Sequence, residues 1–176
     1  MYGYAGRILK VNLSERKVSS EPLDQNIARS FLGGGGMAAK LMEVERMDWT
    51  IDPFDPGNLL IFSIGPLTGM PAPFCSRYVV SAKSPLTNLW GEAHASGYWG
   101  PELKFAGWDA IVITGQSEKP VYLWIHDNVA EICDAHDIWG KDVFEAEILL
   151  QNHLGGKNVR VAGIGPAGER RSPGTG

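Results

Sequence analysis

The residues best placed to do chemistry lie in one stretch, Leu60 to Gly107, where predicted strands repeatedly end in Gly, Pro, Ser or Thr. Such residues let a backbone approach another group closely. Arg77 stands at the start of a strand beside a Pro-rich turn, and His94 stands in a Gly-rich segment. These residue types indicate a binding surface for a bulky ligand.

The chain offers no constellation for catalysis by side chains alone. Its 4 histidines are scattered without HExxH spacing, which argues against a metal site built from protein ligands. No GxSxG elbow and no Ser/His/Asp arrangement occurs. A ligand bed without an acid–base pair indicates that a cofactor carries the chemistry.

Composition limits the class of protein. The 176 residues suit one domain or two intimate halves, and 16 Lys plus Arg against 20 Asp plus Glu give a net charge of -4. No basic run interleaves with aromatic residues, so nucleic acid is not an expected partner. No apolar run is long enough to span a membrane. Cys75 and Cys133 lack CxxC spacing, so we expect two free thiols in a reducing cytoplasm rather than a zinc or iron–sulfur site.

Periodicity predicts a β-rich chain with several short helices. Asp24 and Asp142 are expected helix N-caps, and Gly33 to Gly36 must interrupt or bend the first helix. A phosphate-binding loop at these glycines is disfavoured because no GxxxxGK[ST] pattern is present. Close packing of two helices, or of backbone against a cofactor, fits better. The predicted strands are Arg7–Leu13, Val18–Leu23, Asn58–Ile64, Arg77–Lys83, Trp108–Thr114, Pro120–His126, Val129–Asp134 and Lys157–Ile164.

One strand pattern occurs twice. Asn58 to Pro66 and Asn158 to Pro166 share the same shape, and each follows a hairpin and then a helix. We therefore expect a single α+β domain, rich in β-structure, of two related hairpin-helix-strand halves with mixed sheets, covering about residues 1–70 and 100–169. Chance similarity of one short strand is the alternative.

The chain also resembles a known family, the tungsten-containing aldehyde ferredoxin oxidoreductases, in their N-terminal, cofactor-base domain. The resemblance runs over residues 1–169. The motifs that carry it are Met1-Tyr2-Gly3, Gly6-Arg7, Val11-Asn12-Leu13, Phe31-Leu32-Gly33-Gly34, Gly65-Pro66-Leu67-Thr68-Gly69, Lys83-Ser84-Pro85-Leu86-Thr87, Gly97-Tyr98-Trp99-Gly100, Glu102 to Ala110, Ile138-Trp139-Gly140-Lys141 and Ile164 to Glu169.

The resemblance implies that a bis-pyranopterin tungsten (or molybdenum) cofactor lies on this domain, with the metal held by pterin dithiolenes. It implies oxidation of an aldehyde to a carboxylic acid, with electrons passing through a [4Fe-4S] cluster to ferredoxin, in a dimeric enzyme. Arg77 matches the arginine that contacts the pterin. His94, Ala95, Ser96 and Gly97 match the loop whose backbone meets the pterin and the Mg²⁺ that bridges its phosphates, the metal contact being the His94 carbonyl.

This chain departs from the family pattern in several places. His94 stands where Asn is expected, Ser96 where Gly is expected, and Gly35 where Arg is common. The cluster cysteines and helical domains are absent, and residues 170–176 do not look like the family's continuation. By the resemblance, the chain is a truncated part of a larger protein and is not expected to turn over alone. Two alternatives stay open: a non-catalytic binding or assembly module, and a relative acting on an acyl thioester or another carbonyl compound.

Overall fold

A computed structural model describes residues 2–171, which form a mixed α+β domain. Its elements are β1 (Arg7–Asn12), β2 (Lys17–Pro22), α1 (Gln25–Phe31), α2 (Gly34–Val44), β3 (Leu60–Ile64), β4 (Tyr78–Lys83), β5 (Trp90–Ala95), α3 (Trp99–Phe105), β6 (Ala110–Thr114), β7 (Val121–His126), β8 (Val129–Asp134), α4 (Val143–Leu154) and α5 (Pro166–Glu169). The predicted fold class, α+β with mixed sheets in one domain, is confirmed.

The main sheet has six strands in the order β2-β1-β6-β3-β4-β5. Strand β6 runs parallel to β1, whereas the other neighbouring pairs are antiparallel. The first three residues of β6, Ala110 to Val112, are buried, as expected for a strand covered on both faces. Strands β7 and β8 form a separate two-stranded sheet.

Helices α1 and α2 cover one face of the main sheet. Asp24 caps α1 by accepting a hydrogen bond from the Asn26 amide at 2.6 Å, as predicted. Helix α2 then packs so closely on the end of β3 that a Cβ at Gly33 would collide with the backbone of Ile64 and Gly65. Met37, Leu41 and Met42 of α2 are almost fully buried there. Gly33 is therefore packed closely against the end of a strand, whereas the sequence predicted close packing of two helices or of backbone against a cofactor.

Helix α3 and the β7–β8 hairpin cover the other face. Leu103 and Trp108 join Leu9 and Ile111 in a second core cluster, against which Ile125 of the hairpin packs. The hairpin turn is fastened to α3, since the Asn128 amide donates to the carbonyl of Ala106 at 3.1 Å. Arg7 stacks over Trp108 at 4.5 Å and contacts the Asn128 side chain.

A buried ion pair ties these layers together at the start of β6. Asp109 is 1% exposed and accepts hydrogen bonds from the amides of Ala5 at 3.1 Å and Gly6 at 2.6 Å. Its third donor is Lys104 of α3, whose Nζ lies 2.8 Å away. Lys104 also donates to the carbonyl of Gly65 at 3.2 Å, so one contact network joins the N-terminal segment, α3, β3 and β6.

Several predicted elements are wrong. Lys157 to Ile164 is not a strand, because no neighbouring strand among residues 2–171 pairs with it; the chain there is irregular and leads into α5. Gly34 to Gly36 form the first turn of α2 instead of interrupting a helix, and the break is confined to Leu32 and Gly33. Helix first turns tolerate glycine because their amides lack intrahelical partners in any case.

The internal duplication stays a prediction. The last strand predicted for its second half is not a strand in the described residues. Residues 172–176, most of the predicted 170–176 tail, lie outside the described residues. Cys75 and Cys133 are free thiols, as predicted. Within residues 2–171, no helix has the length and apolar character needed to cross a membrane.

We expect Asp109→Ala to lower the free energy of unfolding by about 3 to 5 kcal/mol, because it removes the carboxylate partner of the largely buried Lys104 ammonium and leaves the amides of Ala5 and Gly6 without their acceptor. Urea unfolding followed by circular dichroism measures the change. Lys40→Met is the control: Lys40 pairs with Glu43 at the surface, and its loss should cost about 0.5 kcal/mol or less. Equal costs for the two variants would contradict the role given to Asp109.

Candidate cofactor-binding site

The antiparallel pairing of β4 and β5 brings the predicted site residues together. Tyr78, the first residue of β4, lies opposite Ala95, the last residue of β5. Arg77 directly precedes β4, and Ser96 and Gly97 directly follow β5. The structure therefore places Arg77 beside the segment His94–Gly97 at one end of the sheet edge.

The backbone leading into Arg77 is held firmly. The Gly65 amide donates to Thr68 Oγ1 at 3.2 Å, and the Thr68 hydroxyl donates to the carbonyl of Arg77 at 3.1 Å. The Gly69 amide donates to the carbonyl of Cys75 at 2.9 Å. The Arg77 side chain itself is exposed and makes no hydrogen bond or ion pair with any other residue between 2 and 171. Its donors are thus available to a ligand.

His94 and Ala95 are strand residues, so the prediction that all four of His94–Gly97 form a loop is wrong for these two. The strand β5 was missed because its sequence, from Trp90 to Ala95, contains no β-branched residue. It is the edge strand of the sheet, where pairing with β4 through backbone hydrogen bonds outweighs weak side-chain propensity.

The His94 ring forms a hydrogen bond with a carboxylate on the same strand. His94 Nε2 lies 2.9 Å from Glu92 Oε1, and Trp90 Nε1 donates to Glu92 Oε2 at 3.2 Å. The hydrogen bond from His94, supplemented by that from Trp90, lowers the pKa of Glu92 below its usual range. The His94 ring is therefore engaged by Glu92.

Glu92 also lies against the glycine at position 35. A Cβ at Gly35 would collide with the Glu92 carboxylate, so the space beside the first turn of α2 is filled by an acidic group from β5. No long side chain fits at position 35 unless Glu92 moves. Glu92 was not singled out from the sequence; its spacing of two residues from His94, which puts both on one face of a strand, is the signal that could have found it.

Ser96 and Gly97 form the short loop between β5 and α3. Gly97 has a left-handed backbone, with φ of 106°, and nothing lies within 4 Å of the place that a Cβ would take. The first turn of α3 then packs on the segment before β4, since a Cβ at Gly100 would lie 3.1 Å from the carbonyl of Ser76. Residues 76–77, 94–97 and 98–100 therefore converge on one small surface.

Aromatic side chains support this surface from below. Trp99 of α3 packs against Tyr78 with ring centroids 4.7 Å apart and against Phe62 at 5.3 Å. Burial raises the pKa of the Tyr78 phenol above its usual value. Helix α3, which was not predicted, fixes the position of the loop through these contacts.

The groups that this surface presents suit the recognition of an anion. It presents an exposed guanidinium and exposed backbone of small residues. Among residues 2–171 there is no group of three or more His, Cys, Asp or Glu side chains able to hold a metal ion.

Comparison with known proteins shows the family. The model of the aldehyde ferredoxin oxidoreductase N-terminal domain matches residues 8–176. The chain belongs to this family. The match includes residues 170–176, and it bears out the resemblance noted from the motifs.

Relatives in the family include several oxidoreductases. The tungsten-containing aldehyde ferredoxin oxidoreductase of Pyrococcus abyssi is 48% identical over 97% of this chain, which spans 28% of that protein. The aliphatic sulfonate oxidoreductase, WOR-like subunit, of Pyrococcus furiosus is 37% identical over 97% of this chain and 29% of the relative. The chain thus covers less than a third of the length of these relatives.

A solved structure has nearly the same fold. The active-site complex BamBC of benzoyl coenzyme A reductase, in complex with 1,5-dienoyl-CoA, superimposes with a TM-score of 0.93 at 39% identity. The similarity covers 97% of this chain and 26% of that chain. Domains of this fold therefore occur in oxidoreductases with different substrates.

We expect Gly97→Ala to destabilise the protein by about 1 to 2 kcal/mol although a methyl group has room there, because a side chain disfavours the left-handed backbone. The matched control is Gly163→Ala, where nothing lies within 4 Å and the backbone is not left-handed. Urea unfolding of both variants is the measurement. A neutral Gly97→Ala variant would contradict the loop conformation described above.

Proposed function

We propose that the native protein carrying this chain oxidises an aldehyde to a carboxylic acid, with ferredoxin as electron acceptor. We further propose that this chain forms part of the surface on which a bis-pyranopterin tungsten, or molybdenum, cofactor lies. The convergence of Arg77 with His94–Gly97 at one end of the β4–β5 edge carries the proposal. The identity of 48% with tungsten-containing aldehyde ferredoxin oxidoreductases supports the choice of reaction.

The donors present fit such a cofactor. Arg77 offers a planar, permanently charged fork that suits an anionic ligand rich in acceptors. The methyl group of Ala95 and the absence of a side chain at Gly97 let a bulky ring system approach the backbone, and the left-handed Gly97 turns the chain away at this point. The cofactor, when bound, supplies the two-electron redox chemistry. The residues of this chain bind and orient it.

The Mg²⁺ contact is proposed for the His94 carbonyl. Carbonyl oxygen is a suitable ligand for this hard cation, and the His94 ring is held by Glu92. A backbone contact is compatible with His in place of Asn, because it does not depend on the side chain.

Further parts of the enzyme are proposed outside this chain. A [4Fe-4S] cluster would be ligated by other segments of the native protein, because Cys75 and Cys133 lie apart as free thiols. Helical domains following in the same chain would close over the cofactor. We also propose a homodimer in the cytoplasm, as the family resemblance implies.

A second candidate is reduction or oxidation of an aromatic acyl thioester. The observation that favours it is the similarity to the BamBC structure, with a TM-score of 0.93 and 39% identity. Identity is higher to the aldehyde oxidoreductases, at 48% and 49% for the proteins of Pyrococcus abyssi and Pyrococcus furiosus, so the aldehyde reaction ranks first.

The deciding experiment is elemental analysis of the native protein that carries this sequence, purified without oxygen. We expect tungsten or molybdenum at close to one atom per chain, together with iron. Ferredoxin-linked turnover of aldehydes and of aromatic acyl thioesters then separates the two candidate reactions. Absence of both heavy metals would favour a non-catalytic binding or assembly module and would overturn the proposal.

We expect Arg77→Ala to lower the tungsten and pterin content of the purified protein with little change in its melting temperature. Loss of one charge-assisted hydrogen bond weakens binding by about 1.5 to 3 kcal/mol, whereas the exposed side chain adds little to folding. Metal analysis and pterin fluorescence after oxidation measure the content. Arg29→Ala, at an exposed arginine of α1, is the matched control; cofactor content equal to that of the control would refute the role of Arg77.

A further inference from the structure

A second arginine borders the candidate site from a distant part of the chain. Arg160 lies in the irregular segment after α4, and its guanidinium stacks over the Tyr98 ring at 4.8 Å from the centroid. Tyr98 directly follows Gly97 and is the N-cap residue of α3. The site loop is therefore in contact with both halves of the sequence.

Arg160 is held in place by local hydrogen bonds. Its Nη1 donates to the carbonyl of Lys157 at 2.9 Å. The preceding residue, Val159, is tied to α4 because its carbonyl accepts a hydrogen bond from Gln151 Nε2 at 3.1 Å. The position of the guanidinium is thus fixed by the Tyr98 ring and by the hydrogen bond to the Lys157 carbonyl.

The charge and one donor of Arg160 are left without partners in the described part of the chain. Its Nε is buried and finds no acceptor. No carboxylate between residues 2 and 171 forms an ion pair with it, and the same holds for Arg77. A buried donor without an acceptor is costly, and more so on a charged group. Two guanidiniums without counter-charges beside one loop are an arrangement that suits an anion.

We propose that Arg160 is a second anion-binding residue of this site and donates to phosphate oxygens of the pterin cofactor. Stacking on Tyr98 occupies one face of the guanidinium, Nη1 donates to the Lys157 carbonyl and Nε is buried, so Nη2 is the donor left for contact with phosphate. Arg77 approaches the same loop from the start of β4. This inference rests on the proposed cofactor, but the phosphate chemistry can be tested by itself.

The first experiment titrates the chain with inorganic pyrophosphate by isothermal calorimetry. We expect Arg160→Gln to weaken binding about 10-fold or more, as loss of a charge-assisted contact does. Arg160→Lys should fall between it and the wild type, because it keeps the charge and loses the fork. Tyr98→Leu should weaken binding less than Arg160→Gln, because it removes only the stack. Arg29→Gln, at an exposed arginine on α1, is the control and should bind as the wild type does.

The second experiment measures pterin and tungsten in the native protein with and without Arg160→Gln, and we expect the variant to hold less of both. Failure of the wild-type chain to bind pyrophosphate, or equal affinities for Arg160→Gln and the Arg29 control, would overturn the proposal. Weaker pyrophosphate binding with full pterin content would assign Arg160 to free phosphate and exclude the cofactor contact. A wild type that binds pyrophosphate through Arg160 but carries no pterin would contradict the proposed function and leave the anion site standing.

Discussion

The carboxylate of Asp109 is the contact on which the arrangement of this domain most depends. It is buried, and it joins two backbone amides of the N-terminal segment to the ammonium of Lys104. A charge in this place is tolerable only because three donors surround it, and each donor comes from an element that must stay in position for the others. The ion pair therefore specifies how α3 lies against the sheet as well as how stable the domain is.

The candidate site follows from that placement. Lys104 fixes α3 by holding the carbonyl of Gly65 at the end of β3, and the first turn of α3 packs on the residues just before β4. The loop from β5 leads directly into α3, and the pairing of Tyr78 with Ala95 puts this loop beside Arg77. The strong hydrogen bonds and the ion pair thus lie beneath the candidate site. The guanidinium donors at the site itself have no carboxylate partner in the described chain. That division suits a domain that presents a preformed bed to a large cofactor.

Sequence reasoning succeeded where local signals are strong and failed where tertiary pairing decides. The hairpins and the Asp24 and Asp142 caps were predictable because alternation and cap residues act over a few positions. Strand β5 was not, because its small residues are ordered by β4 rather than by their own propensity. The opposite error was made for Lys157 to Ile164. This stretch has strand propensity, but no strand in the described chain pairs with it. Arg77 and His94–Gly97 were predicted from family motifs. The contacts of Glu92 and Arg160 needed coordinates, because their partners are set by the strand face and by a distant segment.

The most direct measurement is a crystal structure of the native, metal-loaded protein with anomalous diffraction recorded at the tungsten absorption edge. The account predicts a single tungsten peak over the end of the β4–β5 edge, with a pterin in contact with Arg77 and with the backbone of His94–Gly97. A tungsten peak whose pterins make no contact with these residues, or a fully loaded cofactor bound entirely by other parts of the protein, would contradict it.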